Sequence, residues 1–336
     1  MKAYFDSTQN QHHPQSYFSY GAMRTPQEIP ARTPPLLAAL ENQGIEIVEP
    51  SDHGMRMIGR VHDLGYLRFL QSAHSRWPEA WGQEVLSNIF VRSPNPMHGI
   101  LAEAARYIAD GSSPIGAHTW DAAYWSAQSA LSAAGDIIAG EQAAYGLCRP
   151  PGHHARPDAA GGFCYLNNTA IAAEALREHF DRIAILDPDM HHGQGIQECF
   201  YDRDDILYVS IHGDTTNFYP VVTGYEDERG SGAGYGYNIN LPMPHGSPEA
   251  TFFEKLDEAM AAIRLFEPQV LVLALGFDIY HEDPQAKVAV SSEGFARLGH
   301  IVTTLGVPVL VIQEGGYDIA NLEKNAGQFF SGLLGG

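Results

Sequence analysis

Residues 185–195 read ILDPDMHHGQG, so two aspartates and two adjacent histidines follow directly on an apolar run. Ionised groups are costly to bury without partners. A chain that sets several of them where a strand should end therefore has a use for them. If the strand stays extended through Asp187, residues 187, 189 and 191 project to one face. Asp189 and His191 then present an oxygen and a nitrogen side by side, which is a metal pair with room for a third ligand. Asp278 can supply it, because it lies in GFDIYHEDP (276–284), just after another apolar run. Three protein ligands with an open position describe a catalytic site rather than a closed structural one. Oxygen and nitrogen ligation without thiolate suits Zn2+, and Fe2+ or Co2+ would also fit. The plainer alternative for Asp189 and His191 is an ion pair at a sheet edge.

Two more stretches carry chemistry. RPPGHHA (149–155) puts His153 and His154 on a loop stiffened by two prolines. An imidazole titrates near neutrality and can act as general base, then as general acid. Tyr317 follows Gly315 and Gly316, and a phenol there can donate to an oxyanion. Alone, a loop histidine pair more often bonds backbone, and a tyrosine after two glycines more often packs. Both alternatives lose weight beside a metal site.

Something must hold these groups together. Apolar runs at 2–5, 143–148, 182–187, 206–211, 270–275 and 307–312 read as strands, several apolar throughout, as strands covered on both faces are. Helical patterns lie between them at 121–139, 168–179, 248–266 and 292–305, with a shorter one at 100–108. The alternation predicts an α/β fold, a single mostly parallel sheet flanked by helices on both faces. In such sheets ligands bind beyond the carboxyl ends of the strands. Five of the runs are followed by polar, titratable residues next to glycine: RPPGHHA, PDMHHGQG, HGD (212–214), GFDIYHEDP and QEGGYD (313–318). One segment breaks the rhythm. Residues 76–118 hold Trp77, Pro78, Trp81, Pro94, Pro96 and Pro114, an irregular insertion of the kind that serves function or an interface.

Composition narrows the class. The 336 residues are 44% hydrophobic and carry a formal net charge of −20. Nucleic acid is a poor partner for such a surface, and a small cationic substrate a good one. No apolar stretch is long enough to span a membrane, and the start lacks the apolar segment of a secretion signal. Cys148, Cys164 and Cys199 have no metal-type spacing and no even count, which fits a reduced cytoplasm.

RPPGHHA, GGFCYLNN (161–168), LDPDMHHGQG, SIHGD, GFD and EGGYD, in this order, resemble the histone deacetylase superfamily. With NIFVRSP and HTWDAA in the insertion, the chain is most similar to bacterial acetylpolyamine amidohydrolases. The resemblance implies the arginase/deacetylase fold over residues 1–336 as one domain and zinc-dependent removal of acetyl groups from small cationic acetylated amines. It also implies a homodimer in which residues 76–118 lie at the interface and narrow the active-site mouth. Carried over residue by residue, Asp189, His191 and Asp278 would ligate zinc. His154 would be the single base and acid, with His153 electrostatic and Asp187 its partner. Tyr317 would polarise the carbonyl, and Gly162, Phe163 and Phe218 would wall the channel. Asp187, Asp189 and His191, with Ser210 and Ile211, would hold a structural K+ or Na+. The chain departs from the pattern where Gln194 replaces an aspartate behind the second histidine, which should make His154 titrate lower. It departs again at Pro188 and at Gln285, where some polyamine-selective members carry an acidic gatekeeper. Glu103, Asp110 and Glu282 are the nearby acidic candidates for the substrate's cationic end. A protein acetyl-lysine deacetylase and a non-catalytic acetyl-amine binding module remain alternatives. Arginase-type hydrolysis would need a second metal and more carboxylates.

Overall fold

The computed structural model describes residues 1–91 and 98–335. Part of the 76–118 insertion, residues 92–97 with Pro94 and Pro96, therefore lies outside the described residues.

Eight strands form one all-parallel sheet: β1 (Lys2–Tyr4), β2 (Glu46–Val48), β3 (Ala143–Gly146), β4 (Ile183–Asp187), β5 (Ile206–Gly213), β6 (Asn238–Met243), β7 (Val270–Leu275) and β8 (Val309–Gln313). Their spatial order is β2-β1-β3-β8-β7-β4-β5-β6. Each central strand is buried on both faces, and its alternation sorts residues between two cores. In β7, Val270, Val272 and Ala274 join one cluster, while Leu271, Leu273 and Leu275 join the other. Each such valine or leucine contributes about 1.5–3 kcal/mol by leaving water, so a polar residue inside these strands would be expensive. In β4, β7 and β8 the titratable residues accordingly begin at the last strand residue or beyond it.

Helices cover both faces. α1 (Thr33–Asn42), α8 (Ser292–Thr303) and α9 (Ile319–Leu334) pack together, with α7 (Glu249–Phe266) on the same side. α4 (Thr119–Ile138) and α5 (Asn168–Leu176) pack on the other, near α2 (Leu64–Arg76), α3 (Ile100–Tyr107) and the short α6 (Gln194–Phe200). α5 starts on Asn167, whose side chain caps the backbone N–H of Ala170.

The strands β3, β8, β7, β4 and β5 are the five that carry the polar motifs, and they are consecutive neighbours in the sheet. The chain leaves β3 for β4, and the gap between them is filled later by β7 and β8. The loops after β3, β4, β7 and β8 thus meet at one end of the sheet.

The described part of the 76–118 segment is stitched to the body. Val85 and Ile115 exchange backbone hydrogen bonds of 2.9 and 3.0 Å, and both side chains are buried. Ala109 and Tyr107 pair with Ala160, beside the loop that follows β3.

Candidate active site

The β4 strand ends at Asp187, and the chain then bends. The strand end falls where the sequence reading put it, and beyond it residues 189–191 bend rather than continue the pleat that would set residues 187, 189 and 191 on one face. The bend is held by its own carboxylates: Asp187 Oδ1 accepts from the Asp189 N–H at 3.3 Å, and Asp189 Oδ1 accepts from the His191 N–H at 2.9 Å. The turn brings His191 Nδ1 to 3.0 Å from Asp278 Oδ2 and 3.4 Å from Asp189 Oδ1. One ligand atom from each of the three residues lies within 4.8 Å of the others.

Small residues make that approach possible. A Cβ on Gly276 would collide with the Asp189 carboxylate, and one on Gly315 would lie 2.6 Å from Asp189 Oδ2 and 2.7 Å from Asp278 Oδ2. Burial, and then Asp189 beside it, pushes the Asp278 carboxyl up to about 7. Asp189 is also buried, yet His153 and His191 hold its carboxyl far below the usual range. Burial opposes a charge on His191, but Asp189 and Asp278 raise it to about 9. Two buried carboxylates repelling each other across an imidazole nitrogen form a donor set that a divalent cation would relieve. The residues present therefore fit a metal of the zinc type.

The tandem histidines sit beside this trio in contrasting surroundings. His153 Nδ1 lies 3.2 Å from Asp187 Oδ2, which also accepts from the Tyr208 hydroxyl at 2.9 Å. Burial disfavours the imidazolium, but Asp189 and Asp187 outweigh it and raise His153 to about 10. His154 Nδ1 lies 2.6 Å from Gln194 Oε1. Burial, then the neighbouring His153 and His191, push it well below its ordinary value. The low-titrating His154 expected from sequence thus arises from burial and the two neighbouring histidines, while the bond to Gln194 pulls the other way.

Tyr317 completes the floor. Its ring lies under the Arg32 guanidinium, 5.0 Å from the ring centroid, and burial raises its phenol well above the usual range, so it stays a donor. Two positioning carboxylates escaped sequence reading. Asp283 Oδ2 accepts from the Tyr317 N–H at 2.6 Å and the Asp318 N–H at 3.0 Å. Glu314 Oε2 accepts from the N–H groups of Gly152 and His153 at 2.7 and 3.0 Å, and its Oε1 accepts from the Thr169 hydroxyl at 2.9 Å. Both lie inside quoted motifs, and only their burial with backbone donors marks them.

A cavity of about 570 Å³ opens above His154, His191 and Tyr317. Gly162, Phe163, Phe218 and Tyr219 wall it. Gly161 and Cys164 exchange hydrogen bonds of 3.1 and 2.9 Å across Gly162 (φ 57°) and Phe163 (φ 68°). Both central residues of this tight turn need positive φ, which glycine takes freely and phenylalanine only at a cost. The turn aims the Phe163 ring at Tyr317, 6.0 Å between centroids, while Phe218 stacks on His191 at 4.8 Å.

The acidic rim expected at the mouth is absent from the described lining residues. Glu103 is bound to Arg76 at 2.7 Å, Glu282 is exposed and bonded to Asn321, and neither lines the cavity. Asp110 is not a lining residue either. Its Oδ2 accepts from the Tyr219 hydroxyl at 2.6 Å, and its Oδ1 from the Ser112 N–H at 2.8 Å. The mouth is built instead by a hairpin, Tyr17–Ser19 paired with Ala22–Arg24, and by Gln285 and Lys287, so its charged members are Arg24 and Lys287. From residues 76–118, only Ser112 among the described residues lines this cavity. His212 also points elsewhere, bonded to Ser210 and to the Gly224 carbonyl. Ser210 lies opposite Asp187 in the ladder, with Ile211 next to it.

The profile of the histone deacetylase domain matches residues 26–333. The chain is 61% identical to the acetylpolyamine amidohydrolase of Burkholderia pseudomallei, covering 99% of this chain and 98% of that one. It is 41% identical to acetylpolyamine amidohydrolase 1 of Pseudomonas aeruginosa over 100% and 99% of the two chains. The acetylpolyamine amidohydrolase of Mycoplana ramosa is 37% identical over 94% of each. Among solved structures, the crystal structure of the Burkholderia pseudomallei acetylpolyamine aminohydrolase superposes with a TM-score of 0.98 over 99% of this chain and 98% of that one, at 61% identity. The HDA15 HD domain superposes with a TM-score of 0.82 at 26% identity, over 99% of this chain and 89% of that one.

Proposed function

The chain belongs to the histone deacetylase family, and we propose that it is a metal-dependent amidohydrolase that removes acetyl groups from small acetylated amines of the polyamine type. The products are acetate and the free amine. One observation carries the reading: the Asp189–His191–Asp278 trio, His154 and the Tyr317 phenol converge on the floor of a single cavity walled by Gly162, Phe163 and Phe218.

Asp189, His191 and Asp278 would hold the ion, zinc by preference with Fe2+ or Co2+ compatible, and a bound ion supplies Lewis acidity toward a carbonyl and lowers the pKa of water. His154 is the side chain held neutral, with its Nδ1 engaged by Gln194 and Nε2 left to take the proton from the attacking water. It returns that proton to the departing amine. His153, whose Nδ1 faces Asp187 Oδ2, is the electrostatic member of the pair and moves no proton. Neighbouring titratable groups driven apart in this way divide the acid–base work between them. The Tyr317 hydroxyl donates to the oxyanion. Phe163 and Phe218 enclose the methylene chain and exclude water from it.

Several finer points belong to the same reading. Strands from both ends of the chain share one sheet, which supports a single deacetylase domain. The 76–118 segment exposes Trp81, Ile89, Phe90 and Leu101, which supports its burial against a second copy in a homodimer whose partner narrows the mouth. K+ or Na+ at the Asp187–Ser210 corner would be structural. Three free cysteines suit a reduced cytoplasm. The deciding experiment is a screen of the zinc-loaded protein against N-acetylputrescine, N-acetylcadaverine, N-acetylspermidine and acetyl-lysine peptides. Higher kcat/KM on the acetylated diamines is expected. Turnover of peptides alone, or of nothing, would overturn the proposal.

A further inference from the structure

His154 rests on an amide, and an amide has two faces. A carboxylate behind a histidine can only accept, so it leaves no choice of tautomer. A glutamine can turn its oxygen or its nitrogen toward the ring. With Oε1 toward His154, Nδ1 carries the proton and Nε2 is a free base. With the amide turned, Nδ1 must accept, and the proton moves to Nε2, where the base is needed. Something beyond Gln194 has to break that symmetry.

The polar chain behind it runs in one direction. Gln194 Nε2 lies 3.0 Å from the Tyr219 hydroxyl, and that hydroxyl lies 2.6 Å from Asp110 Oδ2. Asp110 is an acceptor, so the phenol donates to it and has only lone pairs left for Gln194. Gln194 must then offer its N–H to Tyr219 and its oxygen to His154, at the 2.6 Å observed. Asp110 is itself anchored by the Ser112 N–H at 2.8 Å, and the Ser112 hydroxyl, bound to Asp110, accepts from the Gly162 N–H at 2.9 Å. Gly161 permits the approach, since a Cβ there would lie 2.9 Å from Asp110 Oδ2 and 3.3 Å from the Tyr219 hydroxyl.

We propose that Tyr219 and Asp110 are positioning residues that fix the orientation of the Gln194 amide, and through it keep His154 as the tautomer with a free Nε2. The inference rests on the reading of His154 as the proton shuttle. It makes Asp110, expected from sequence to meet the substrate, a residue that acts through Tyr219 and Gln194 without lining the cavity.

Asp110→Asn is the informative variant. The Ser112 N–H keeps the asparagine oxygen on its side, so the new amide presents an N–H to Tyr219 where a carboxylate oxygen stood. The phenol must accept it and swing its own O–H toward Gln194, which favours the turned amide. Tyr219→Phe removes the link outright. Each variant of the zinc-loaded protein is expected to lose at least about tenfold in kcat, the scale of one hydrogen bond and well within the cost of a mis-set catalytic histidine, with KM changed by no more than about twofold. Imidazole 15N spectra of histidine-labelled protein should show His154 protonated at Nδ1 in the wild type, and protonated at Nε2 or mixed in both variants. Tyr225→Phe, which removes an exposed hydroxyl bonded to the Val221 carbonyl on the same loop, serves as the control and should keep wild-type values. Wild-type kcat and an unchanged tautomer in Asp110→Asn and Tyr219→Phe would overturn the inference. A wild type that hydrolyses no acetylated amine would overturn the proposed activity instead, and the spectra would still decide the relay.

Discussion

His62 gives the protein a stability term that should disappear in mild acid. Its Nδ1 lies 3.1 Å from the Arg156 carbonyl, and its Nε2 lies 2.9 Å from the Asn167 N–H. A carbonyl only accepts and a backbone N–H only donates, so the ring must be neutral with its proton on Nδ1. Protonation would set Nε2–H against the Asn167 N–H and bury a charge on a side chain that is 3% exposed. Burial accordingly drives the pKa of His62 down to about 4, against the weaker pull of the Arg156 and Pro157 carbonyls. The bridge ties the end of RPPGHHA to the cap of α5, so both loops that shape the catalytic floor depend on it.

The sign follows from proton counting. Below about pH 6.5 the unfolded chain binds a proton at this histidine and the folded protein does not, so stability falls as pH falls, until the folded-state value near 4 is passed. The full difference is about 3 kcal/mol, and about 2 kcal/mol of it should be lost between about pH 7.5 and pH 5. His62→Gln isolates this term from other titrating groups. A glutamine amide can accept from Asn167 through oxygen and donate to Arg156 through nitrogen, but it cannot be protonated. Chemical denaturation of both proteins across that range should show the variant less stable, or equal, at neutrality and gaining on the wild type by about 2 kcal/mol at about pH 5. A difference that stays flat with pH would refute the neutral bridge.

Other outcomes follow from the site. Asp189→Ala and Asp278→Ala should lose bound metal and turnover together, measured by metal analysis and acetate release, and full turnover from a metal-free preparation would contradict the mechanism. His154→Ala should abolish turnover while His153→Ala leaves a measurable residue, and the reverse ranking would make His153 the shuttle. Tyr317→Phe should slow kcat by roughly 10²–10³-fold, the scale of one oxyanion donor, with metal content unchanged. Lys287→Ala should raise kcat/KM for acetylated diamines about two- to threefold at low salt, the effect of removing a like charge about 7 Å away in water, and the gain should shrink as salt rises.

Continuous apolar runs made the central strands legible, and β7 (Val270–Leu275) was bounded correctly from them. What the pattern hid has identifiable causes. β6 reads NINLPM, and its asparagines face inward: Asn238 and Asn240 are buried against Gln197, while Ile239 is only partly covered. A strand whose polar residues point inside inverts the usual alternation. β2 is a three-residue edge strand with Glu46 exposed, too short and too open to leave a signature. The helices α1, α2, α6 and α9 were not expected either; α9 follows directly on the EGGYD motif. The strand end at Asp187 was expected, but the bend beyond it was not, because Asp187 and Asp189 each accept from backbone N–H groups ahead of them, a local competition with the strand ladder that strand periodicity does not register.

The mouth shows where sequence reasoning reaches its limit. A net charge of −20 describes the whole surface, and an acidic rim was expected from it. The cavity instead meets solvent between a hairpin near residue 20 and a turn near residue 285, and the charges they bring are Arg24 and Lys287. No spacing rule links positions so far apart, and neither Arg24 nor Lys287 lies in a motif. The two scales of charge can oppose one another. A protein-wide negative field draws a cationic amine toward the surface, while two local cations disfavour a second ammonium at the rim itself. A single protomer would therefore collect acetylated amines readily but discriminate among them by chain length, according to whether the far ammonium clears Lys287. Selectivity of that kind resides in the geometry of the mouth, while the chemistry below it follows from motifs that can be read one strand end at a time.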